Sequence, residues 1–576
     1  MKKIIFLFAI TATFLFTGCE DFLDTESLTK KNTGNFPSNP DDAAQMITGI
    51  YSMLYGMTED QTPAKTPLIV AEIASDDRLG GGGVGRDGNQ AVDHLMWTNE
   101  NFFGDNYWDF RYRGIFRANA ALETLDNVTG WNNEQELKTA KAEASFLRAY
   151  YFFDLSQIYG EVPLTLASAP ENLPQSPASE TYAVIANDLK NAIEWLPATK
   201  QTFPSNGRVT KWAAEALLAR VFLFYTGYYE TPTLPLPDGG SISKEQIIAW
   251  VDDCVNNSGH DLVSDFRNLW PWTNEYSGKD YPYVTDNKLK WEGDGNKEEV
   301  FSIRFGSLVG WANNGNKQVL VRYSNQYCLY FGIPDPNGKD NTFPFGMGWG
   351  MAPVNPQLWT QWKNDEPTDI RRFSSIIEFE SEYPGYSKEP FKNWMEATGY
   401  WQKKIIAVNA HVPGYSDPYP FNSLVSGANP YSNQLDHNQD LMIIRFADVL
   451  LMQSELKQDP TGLNRVRARA GLPAKAGYNL DDLKKERRYE LCFEGLRYYD
   501  LMRWHDAAQA LANQVGAPII SQEKEGKMKD FGVGYAKRYE QTGGFWPIER
   551  TQLDLSQGVL KQSKGWDTPD AEYWGW

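Results

Sequence analysis

Two long segments have the hydrophobic spacing of amphipathic helices, and no other feature of the chain constrains its fold as strongly. In 107–126 and 133–159, apolar or small residues recur three or four positions apart, which places them on one helical face. The two stripes consist of Phe110, Gly114, Ala118, Ala121 and Leu125, and of Ala140, Ala144, Leu147, Tyr151, Leu155 and Ile158. Small residues on such stripes let helices approach closely, as arrays of helix hairpins require. The sequence therefore predicts a mainly α-helical scaffold.

Further helices are predicted along the chain, and one short motif recurs between them. The predicted segments are 41–56, 210–225, 443–456, 461–470 and 480–511. The motif Ala-x-x-Leu-x-Ala at 144–149 is repeated 70 residues later, at 214–219. Two periods of about 35 residues would be consistent with tetratricopeptide-like helix pairs.

The middle of the chain, from about 263 to 430, has a different character. It is rich in Pro, Gly, Asn and aromatic residues, with short alternating runs such as 300–305, which predicts loops and small strands. Eight of the 20 tryptophans lie between Trp250 and Trp362, where an even distribution would place about four, and binding groups tend to lie on loops. We therefore expect a helical scaffold over about 40–260 and 440–515 and a loop-rich, ligand-binding part between them.

Aromatic rings beside short polar side chains in two loop regions predict a sugar-binding surface. The C–H face of a pyranose packs on a flat ring, while its hydroxyl groups form hydrogen bonds with Asn, Asp and Arg. The candidate residues are Asp76, Asp77, Arg78, Asn89, Trp97 and Asn99 in the first region and Trp270, Trp272, Trp311, Asn313, Asn314, Arg322, Tyr323 and Trp349 in the second. For each tryptophan taken alone, a place in the hydrophobic core is an equally good interpretation.

Charge and motifs argue against several other classes of protein. The net charge of −19 argues against nucleic-acid binding, since no continuous basic face would neutralise phosphates. Glycines at 80, 82 and 85 match G-x-G-x-x-G, but the strand–helix context of a dinucleotide site is missing, so a flexible loop is expected. The five histidines lack zinc-ligand spacing, and there is no G-x-S-x-G motif. We expect no cofactor and no metal.

Acidic groups offer two further interpretations. The acidic doublets at 76–77 and 365–366 could serve glycoside hydrolysis, which needs two carboxylates several ångströms apart, although such doublets are common in acidic proteins. The segment 294–298 has the alternate spacing that begins a calcium loop, but Glu299 stands where the sharp turn requires Gly. We therefore expect a solvated acidic loop there.

The first 18 residues predict a secretory signal that is not part of the fold. Two lysines precede an apolar run over 4–16, which has the length of a signal-peptide core and is too short to span a membrane. Cys19 follows directly after a small residue, as in the bacterial lipobox, although Phe16 stands where that motif usually carries Leu. We expect lipid attachment at Cys19, and ordinary cleavage that leaves a free thiol is the alternative.

The stretch 486–504, ERRYELCFEGLRYYDLMRW, is dense in paired charges and aromatic residues. As two helices separated by a break at Gly495, it places Arg497 three residues from both Glu494 and Asp500. Such charges could form a catalytic acid–base cluster. The stronger interpretation is a partly buried ion-pair lattice that joins two packed helices.

Several segments, taken in chain order, resemble the signatures of the SusD/RagB family. They are the lipobox at Cys19, LRAYYFFDLSQIYGEVPL from Leu147, RVTKWAAEALLARVFLF from Arg208, IIRFADVLLMQSEL from Ile443, LNRVRARAGLP from Leu463 and the stretch 486–504. The sequence FWPI at 545–548 is similar to the family's closing motif, although 554–556 departs from its usual Asn-Pro. Acidic residues after Cys19 resemble the tag that directs lipoproteins of Bacteroidetes to the cell surface.

The resemblance implies both a fold and a function. The fold would be one SusD-like domain over 19–576, with tetratricopeptide-like helix pairs as its scaffold and an irregular, loop-rich region with short strands carrying the ligand face. The protein would be a non-catalytic outer-membrane surface lipoprotein that binds oligo- or polysaccharides and delivers them to a TonB-dependent, SusC-like transporter. Capture of peptides is the alternative, and a surface glycoside hydrolase is less favoured.

Overall fold

The computed structural model describes residues 36–54, 66–84, 88–97, 106–306, 324–334, 342–386, 392–415, 417–427 and 437–575. The predicted signal peptide and Cys19 lie outside these ranges. Helices dominate the described residues and the strands are short, so the fold is mainly α, as predicted. Within the described ranges, no helix combines the length and the apolar character that crossing a bilayer requires.

The helices differ in length between the two ends of the chain and its middle. The first group is α1 (Pro40–Tyr51), α2 (Pro67–Ile73), α3 (Gly88–Asp93), α4 (Asn106–Thr124), α5 (Glu134–Tyr159), α6 (Ala178–Trp195), α7 (Lys211–Tyr228) and α8 (Lys244–Asn257). The middle contributes α9 (Glu275–Gly278), α10 (Pro282–Asn287), α11 (Tyr327–Tyr330), α12 (Pro356–Asp365), α13 (Ile370–Ser375), α14 (Phe379–Glu382) and α15 (Phe421–Ser426). The last group is α16 (Phe446–Lys457), α17 (Thr461–Arg469), α18 (Leu480–Leu491), α19 (Arg497–Arg503), α20 (Ala507–Ala512), α21 (Tyr535–Thr542) and α22 (Arg550–Leu555).

The strands of the described residues form two-stranded pairs. Antiparallel pairs are β1 (Leu234–Pro235) with β2 (Ser241–Ile242), β3 (Glu299–Ile303) with β10 (Leu441–Arg445), β6 (Ile376–Glu378) with β7 (Tyr400–Gln402), β8 (Asn409–Ala410) with β9 (Tyr419–Pro420), and β11 (Pro518–Ser521) with β12 (Lys524–Lys527). The parallel pair is β4 (Ile333–Pro334) with β5 (Met347–Gly348). The β3–β10 pair is the one that joins the loop-rich part to the helical scaffold, since β10 leads directly into α16.

Side-chain caps fix where several scaffold helices begin. Asn39, Asn133 and Thr210 each accept a hydrogen bond from a backbone N–H in the first turn of α1, α5 and α7, and Ser243 forms a capping box at the start of α8. Such caps satisfy backbone donors that have no partner within the helix, and each stabilises by about 1 kcal/mol. Gly160, at φ +75°, ends α5, because this left-handed backbone region favours glycine.

The two predicted stripes face each other in the structure. Ala118, Ala121 and Ala144 are fully buried, and α4 packs against α5. A Cβ atom at Gly114 would overlap the ring of Tyr151, so the glycine is what permits this close approach. α5 also packs against α6, α6 against α7 and α7 against α8, while α16 and α19 contact α8 and α7, respectively. The first and last parts of the chain therefore share one helical scaffold.

A large hydrophobic core and smaller ones lie inside the molecule. The large core draws on residues from Ala43 to Ala571 and includes α1, α4–α8, α16 and α19. A second core, between Val263 and Phe421, lies under the loop-rich part. A third joins α12 to the end of α18. The loop-rich part is thus held by its own buried aromatic residues, in addition to strand pairing.

The structure also differs from the sequence predictions. Helices α6 and α8 lie in segments for which no helix was predicted. The segment 480–511 is divided into α18, α19 and α20; the break at Gly495, whose φ is +75°, agrees with the prediction, whereas the second break, at 504–506, was not predicted. Strand β3 is buried on both faces, whereas its alternating sequence pattern is typical of a half-buried strand.

Candidate functional site

The glycine-rich segment 78–83 lies at the centre of the predicted binding loops. It forms antiparallel bridges with 351–354 on one side and with Trp394 on the other. A Cβ atom at Gly80 would lie 2.6 Å from the backbone of Gln90, so the glycine serves close packing of backbone on backbone. This junction brings the first predicted binding region next to the end of the second.

Arg78 is part of the interior at this junction. Its side chain is fully buried, its Nε donates to Glu72 at 2.7 Å and its Nη1 donates to the Ala352 carbonyl at 3.0 Å. Its guanidinium lies over the rings of Phe331 and Phe493, at 4.2 and 4.8 Å from their centroids. The prediction that Arg78 contacts a ligand is therefore corrected: its donors and its faces are covered by protein.

Asp76 and Asp77 form ion pairs inside the protein. Arg497 donates to both oxygens of Asp76, at 2.7 and 2.9 Å, and Arg488 donates to Asp77 at 2.6 Å. Burial raises the pKa of Asp76, but the charges of Arg488 and Arg497 outweigh burial and hold that pKa below its ordinary range. Neither carboxylate faces solvent, which corrects their assignment to a ligand surface.

Asn89 connects the two predicted binding regions. Its Oδ1 accepts a hydrogen bond from the Tyr330 hydroxyl at 2.6 Å, and both residues are buried, so Asn89 supports the loops rather than facing solvent. The neighbouring Leu329 carbonyl accepts from the Trp349 backbone at 2.7 Å. Trp349 is half-buried, so part of its indole remains accessible at this side of the loop cluster.

Trp97 and Trp574 lie together at one edge of the cluster. The Trp97 backbone donates to Ala571 at 2.8 Å and accepts from Tyr573 at 2.9 Å, which fixes the C-terminal segment beside it. Trp97 is half-buried, and Trp574 is 81% exposed. We call this pair the Trp97–Trp574 edge. Trp574 was not among the predicted residues; the aromatic run AEYWGW at 571–576 is the sequence signal that could have indicated it.

Trp270 and Trp272 do not face solvent. They are 1% and 0% exposed and belong to the second hydrophobic core. The Trp272 ring contacts those of Tyr281 and Phe345, with centroids 6.1 and 6.4 Å apart. The predicted role of these two tryptophans in stacking on a ligand is therefore corrected, because burial of so large an apolar surface stabilises the fold under the loops.

The remaining predicted ligand residues lie outside the described residues. They are Asn99, Trp311, Asn313, Asn314, Arg322 and Tyr323. Their assignment to the ligand surface stays a prediction. Segments 98–105 and 307–323, which contain them, continue directly from Trp97 and from the residues after β3.

A buried lattice of arginines and carboxylates surrounds α18. Glu490, which is fully buried, accepts from Arg371 and Arg445 at 2.9 Å each and also from Arg469. Burial raises the pKa of Glu490, but the charges of Arg469, Arg445 and Arg371 hold it well below its ordinary range. This geometry agrees with the structural interpretation of 486–504: each of these charges is satisfied within the protein.

The partners within this lattice differ from those that sequence spacing predicted. Arg497 binds Asp76 instead of its neighbours along the chain. Glu494 accepts from Arg445 at 2.7 Å, and Asp500 accepts from two other arginines. Glu494 lies in the break before α19, which separates it from Arg497. Arg497 and Asp500 share α19, but Asp500 is held by Arg487 and Arg503 instead.

Within the part of the chain that the structure describes, two groups of side chains could hold a metal ion. Oxygens of Asp294, Glu299 and Asp440 lie within 4.8 Å of one another. Burial raises the pKa of Glu299 to about 7, and burial together with Asp294 and Glu299 raises that of Asp440 to about 9. The expectation of a solvated loop is therefore corrected: pairing of β3 with β10 brings Asp440 onto the loop and buries it. Such all-oxygen donors suit hard cations.

The second group consists of Asp93, His94 and Glu396. One donor atom from each lies within 4.8 Å of the others, and their exposed fractions are 0%, 2% and 0%. No sequence motif indicated this group, because His94 and Glu396 are about 300 residues apart in the chain.

An open groove of about 540 Å³ lies between α4 and α22. Its lining includes Trp108, Tyr112, Phe116 and Leu555, of which Phe116 is 49% and Leu555 69% exposed. The groove lies on the helical scaffold and away from the predicted binding loops. No sequence motif indicates the groove, because its lining comes from segments at opposite ends of the chain.

Two family models match the chain. One, described as "Starch-binding associating with outer membrane", matches residues 21–223, and one described as the SusD family matches residues 357–566. A SusD-like protein of Bacteroides ovatus is 24% identical over 408 residues, which cover 69% of this chain and 65% of that relative. SusD-like protein P2 of Formosa agariphila is 24% identical over 458 residues, which cover 74% of this chain and 76% of the relative.

Solved structures share the fold over most of the chain. A laminarin-binding SusD-like protein has a TM-score of 0.67 at 23% identity, and the match covers 92% of this chain and 100% of that one. Surface glycan-binding protein A from Bacteroides thetaiotaomicron, in complex with laminarihexaose, has a TM-score of 0.67 at 20% identity, with 91% and 100% covered. The helical scaffold and the loop-rich part are therefore one recurring architecture.

Proposed function

This chain belongs to the SusD/RagB family, and from that premise we propose that it is a cell-surface protein that binds oligo- or polysaccharides. It would pass them to a TonB-dependent, SusC-like transporter of the outer membrane and be anchored beside it through a lipid on Cys19. The family match and the shared fold support the proposal. So does the position of accessible tryptophans at the loop cluster.

The observation that carries the proposal is the Trp97–Trp574 edge. An indole that is 81% exposed leaves a large apolar face in water, which is unfavourable unless a ligand or partner covers it. The C-terminal segment that bears Trp574 is fixed by backbone hydrogen bonds to Trp97. The backbone on both sides of the edge is thus positioned before a ligand arrives, which lowers the entropy lost on binding.

Binding would proceed by stacking of sugar rings on these indoles. Polar side chains would bind the hydroxyl groups, and the predicted residues Asn99, Asn313 and Arg322, which lie outside the described residues, stay candidates for that role. A single shallow site of this kind binds its sugar weakly. Attachment to the membrane beside a transporter raises the effective concentration of captured glycan there.

The ligand is tested with a panel of polysaccharides by affinity electrophoresis and calorimetry. Laminarin and laminarihexaose come first, because structures of the same fold are described as binding them. Binding of at least one glycan by the mature chain, weakened by Trp574→Ala, is expected. Retention of peptides with no glycan bound would instead favour peptide capture and overturn the proposal.

The acidic doublets give little support to the alternative function as a glycoside hydrolase. Asp76 and Asp77 are held by arginines, while Asp365 accepts from the Tyr489 hydroxyl at 2.8 Å and Glu366 pairs with an arginine at 2.9 Å. A catalytic acid has to reach the glycosidic oxygen, and these carboxylates are engaged elsewhere. Release of reducing ends on prolonged incubation with a bound glycan would contradict the non-catalytic assignment.

The anchor is tested separately from the ligand. Cys19→Ala should release the chain from the membrane fraction of the cell and abolish labelling with radioactive palmitate. A membrane-bound, unlabelled Cys19→Ala variant would show that the chain is held at the membrane in another way.

A further inference from the structure

The Asp93, His94 and Glu396 cluster joins two distant segments of the chain. Asp93 is the last residue of α3, His94 follows it, and Glu396 lies in the segment 392–397 that pairs with the glycine-rich segment. One donor atom from each residue lies within 4.8 Å of the others, and all three side chains are buried. We refer to these three residues as the Asp93 cluster.

Two buried polar atoms of residues at the Asp93 cluster have no hydrogen-bond partner within the described part of the chain. They are His94 Nε2 and Gln514 Oε1, and both residues are at least nine-tenths buried. Gln514 is at the cluster, because its Nε2 donates to Asp93 at 3.5 Å. Buried polar groups are normally satisfied, so such unpartnered acceptors indicate a missing partner such as an ion.

The charges of the Asp93 cluster also indicate a missing partner such as an ion. Among the described residues Asp93 forms no ion pair; its oxygens accept from the Gly80 backbone at 3.3 Å and from Gln514 at 3.5 Å, and the Tyr535 hydroxyl lies beside it. Both contacts are longer than a strong hydrogen bond to a carboxylate. Two buried carboxylates this close repel each other unless a proton or a cation lies between them.

We propose that Asp93, His94 and Glu396 bind one divalent transition-metal ion, with Zn²⁺ as the probe. Two carboxylates and a neutral imidazole form a mixed oxygen and nitrogen donor set, which suits Zn²⁺ better than Ca²⁺ or Mg²⁺. A neutral imidazole has a lone pair on one ring nitrogen to donate. Gln514, whose Nε2 contacts Asp93, is a candidate for a fourth donor through its Oε1.

The ion would stabilise the base of the Trp97–Trp574 edge. The His94 ring stacks on that of Tyr573, with centroids 5.7 Å apart, and the Tyr573 backbone donates to Trp97. Removing the ion should therefore loosen the C-terminal segment. This consequence for ligand binding rests on the proposed function, whereas the metal site itself does not.

The test measures metal in the purified mature chain by mass spectrometry after incubation with ZnCl2 and gel filtration. About one zinc per chain is expected, with a lower melting temperature after chelation that ZnCl2 restores. The His94→Gln and Glu396→Gln variants should lose the bound zinc, and their melting temperatures should no longer change with chelation or ZnCl2. His260→Gln is the matched control, because His260 is also buried with an unpartnered Nε2 but belongs to no such cluster, and it should keep both.

Other results of the same experiment would overturn the proposal or place the ion elsewhere. A wild-type chain that takes up no zinc and whose melting temperature does not respond to ZnCl2 would show that the carboxylates share a proton, and would overturn the proposal. Zinc that persists in folded His94→Gln but is lost in Asp440→Asn would place the ion at the other acidic group. Circular dichroism establishes that each variant is folded. Metal binding with no effect on glycan affinity would leave the site standing and remove only its link to the Trp97–Trp574 edge.

Discussion

Arg497 and Asp76 form a bidentate ion pair, with Nε and Nη2 at 2.7 and 2.9 Å from the two carboxylate oxygens, although 421 residues separate them in the chain. The pair ties α19 to the loop that follows α2. In the sequence, Arg497 is a candidate for a catalytic cluster and Asp76 for a ligand site. In the structure their charges neutralise each other inside the fold.

We predict that Arg497→Ala lowers stability and leaves ligand affinity per folded molecule unchanged. Removing the arginine leaves Asp76 with only its 3.1 Å contact to Arg488, and breaking a buried pair costs about 3 kcal/mol. Thermal and urea unfolding measure the loss. Arg550→Ala is the control, because its pair with Asp554 is mostly exposed and such pairs contribute about 0–1 kcal/mol. Lost binding in a fully stable Arg497→Ala variant would show a direct role in the site.

Glu490→Gln should make the chain less stable at neutral pH, by about 3–5 kcal/mol, because arginines are left without a buried counter-charge. The pKa of Glu490 is lowered in the folded protein, so its contribution is complete above the ordinary carboxyl pKa of about 4.3. The contribution is lost as pH falls toward the folded value. The difference in unfolding free energy between wild type and variant should therefore shrink below about pH 4.

Urea unfolding between pH 7 and pH 3 measures this difference. Glu540→Gln is the control, because Glu540 forms an exposed pair with Lys537, and its curve should follow that of the wild type. A Glu490→Gln deficit that stays constant over the whole pH range would show that lost packing, and not charge, is responsible.

Gly114→Ala should destabilise the scaffold by about 1–3 kcal/mol, the usual cost of overpacking. The new Cβ would overlap the Tyr151 ring and push α4 away from α5. Gly477→Ala, where a Cβ meets nothing within 4 Å, is the control and should be neutral or slightly stabilising. Equal stabilities of the two variants would mean that α4 and α5 do not need the close approach seen in the structure.

Much of the helical scaffold could be predicted from the sequence because its signals are local. The spacing of Gly114, Ala118 and Ala121 records a helix face directly, since residues three and four apart are neighbours on a helix. The family signatures are likewise concentrated in scaffold helices. Helices α6 and α8 were missed although both are amphipathic.

The ligand site could be predicted less well because its residues are brought together by long-range contacts. Asp76 and Arg497 each had closer partners in sequence, and only the fold shows that they pair. Trp270 and Trp574 are chemically alike, yet one is 1% and the other 81% exposed. Composition cannot distinguish a tryptophan that builds a core under loops from one that faces solvent.

The affinity of Trp574→Ala for the glycan that the wild-type chain binds, with laminarihexaose as the first probe, decides whether the Trp97–Trp574 edge is the ligand face. Because Trp574 is almost fully exposed, its replacement should leave the fold intact, and the melting temperature should not change. We expect an affinity at least about tenfold weaker by calorimetry, equivalent to about 1.4 kcal/mol, with Trp97→Ala weaker as well. Phe116→Ala, an exposed aromatic residue on the scaffold, should bind like the wild type. Unchanged affinity in Trp574→Ala and Trp97→Ala would contradict the assignment of the ligand face to the Trp97–Trp574 edge.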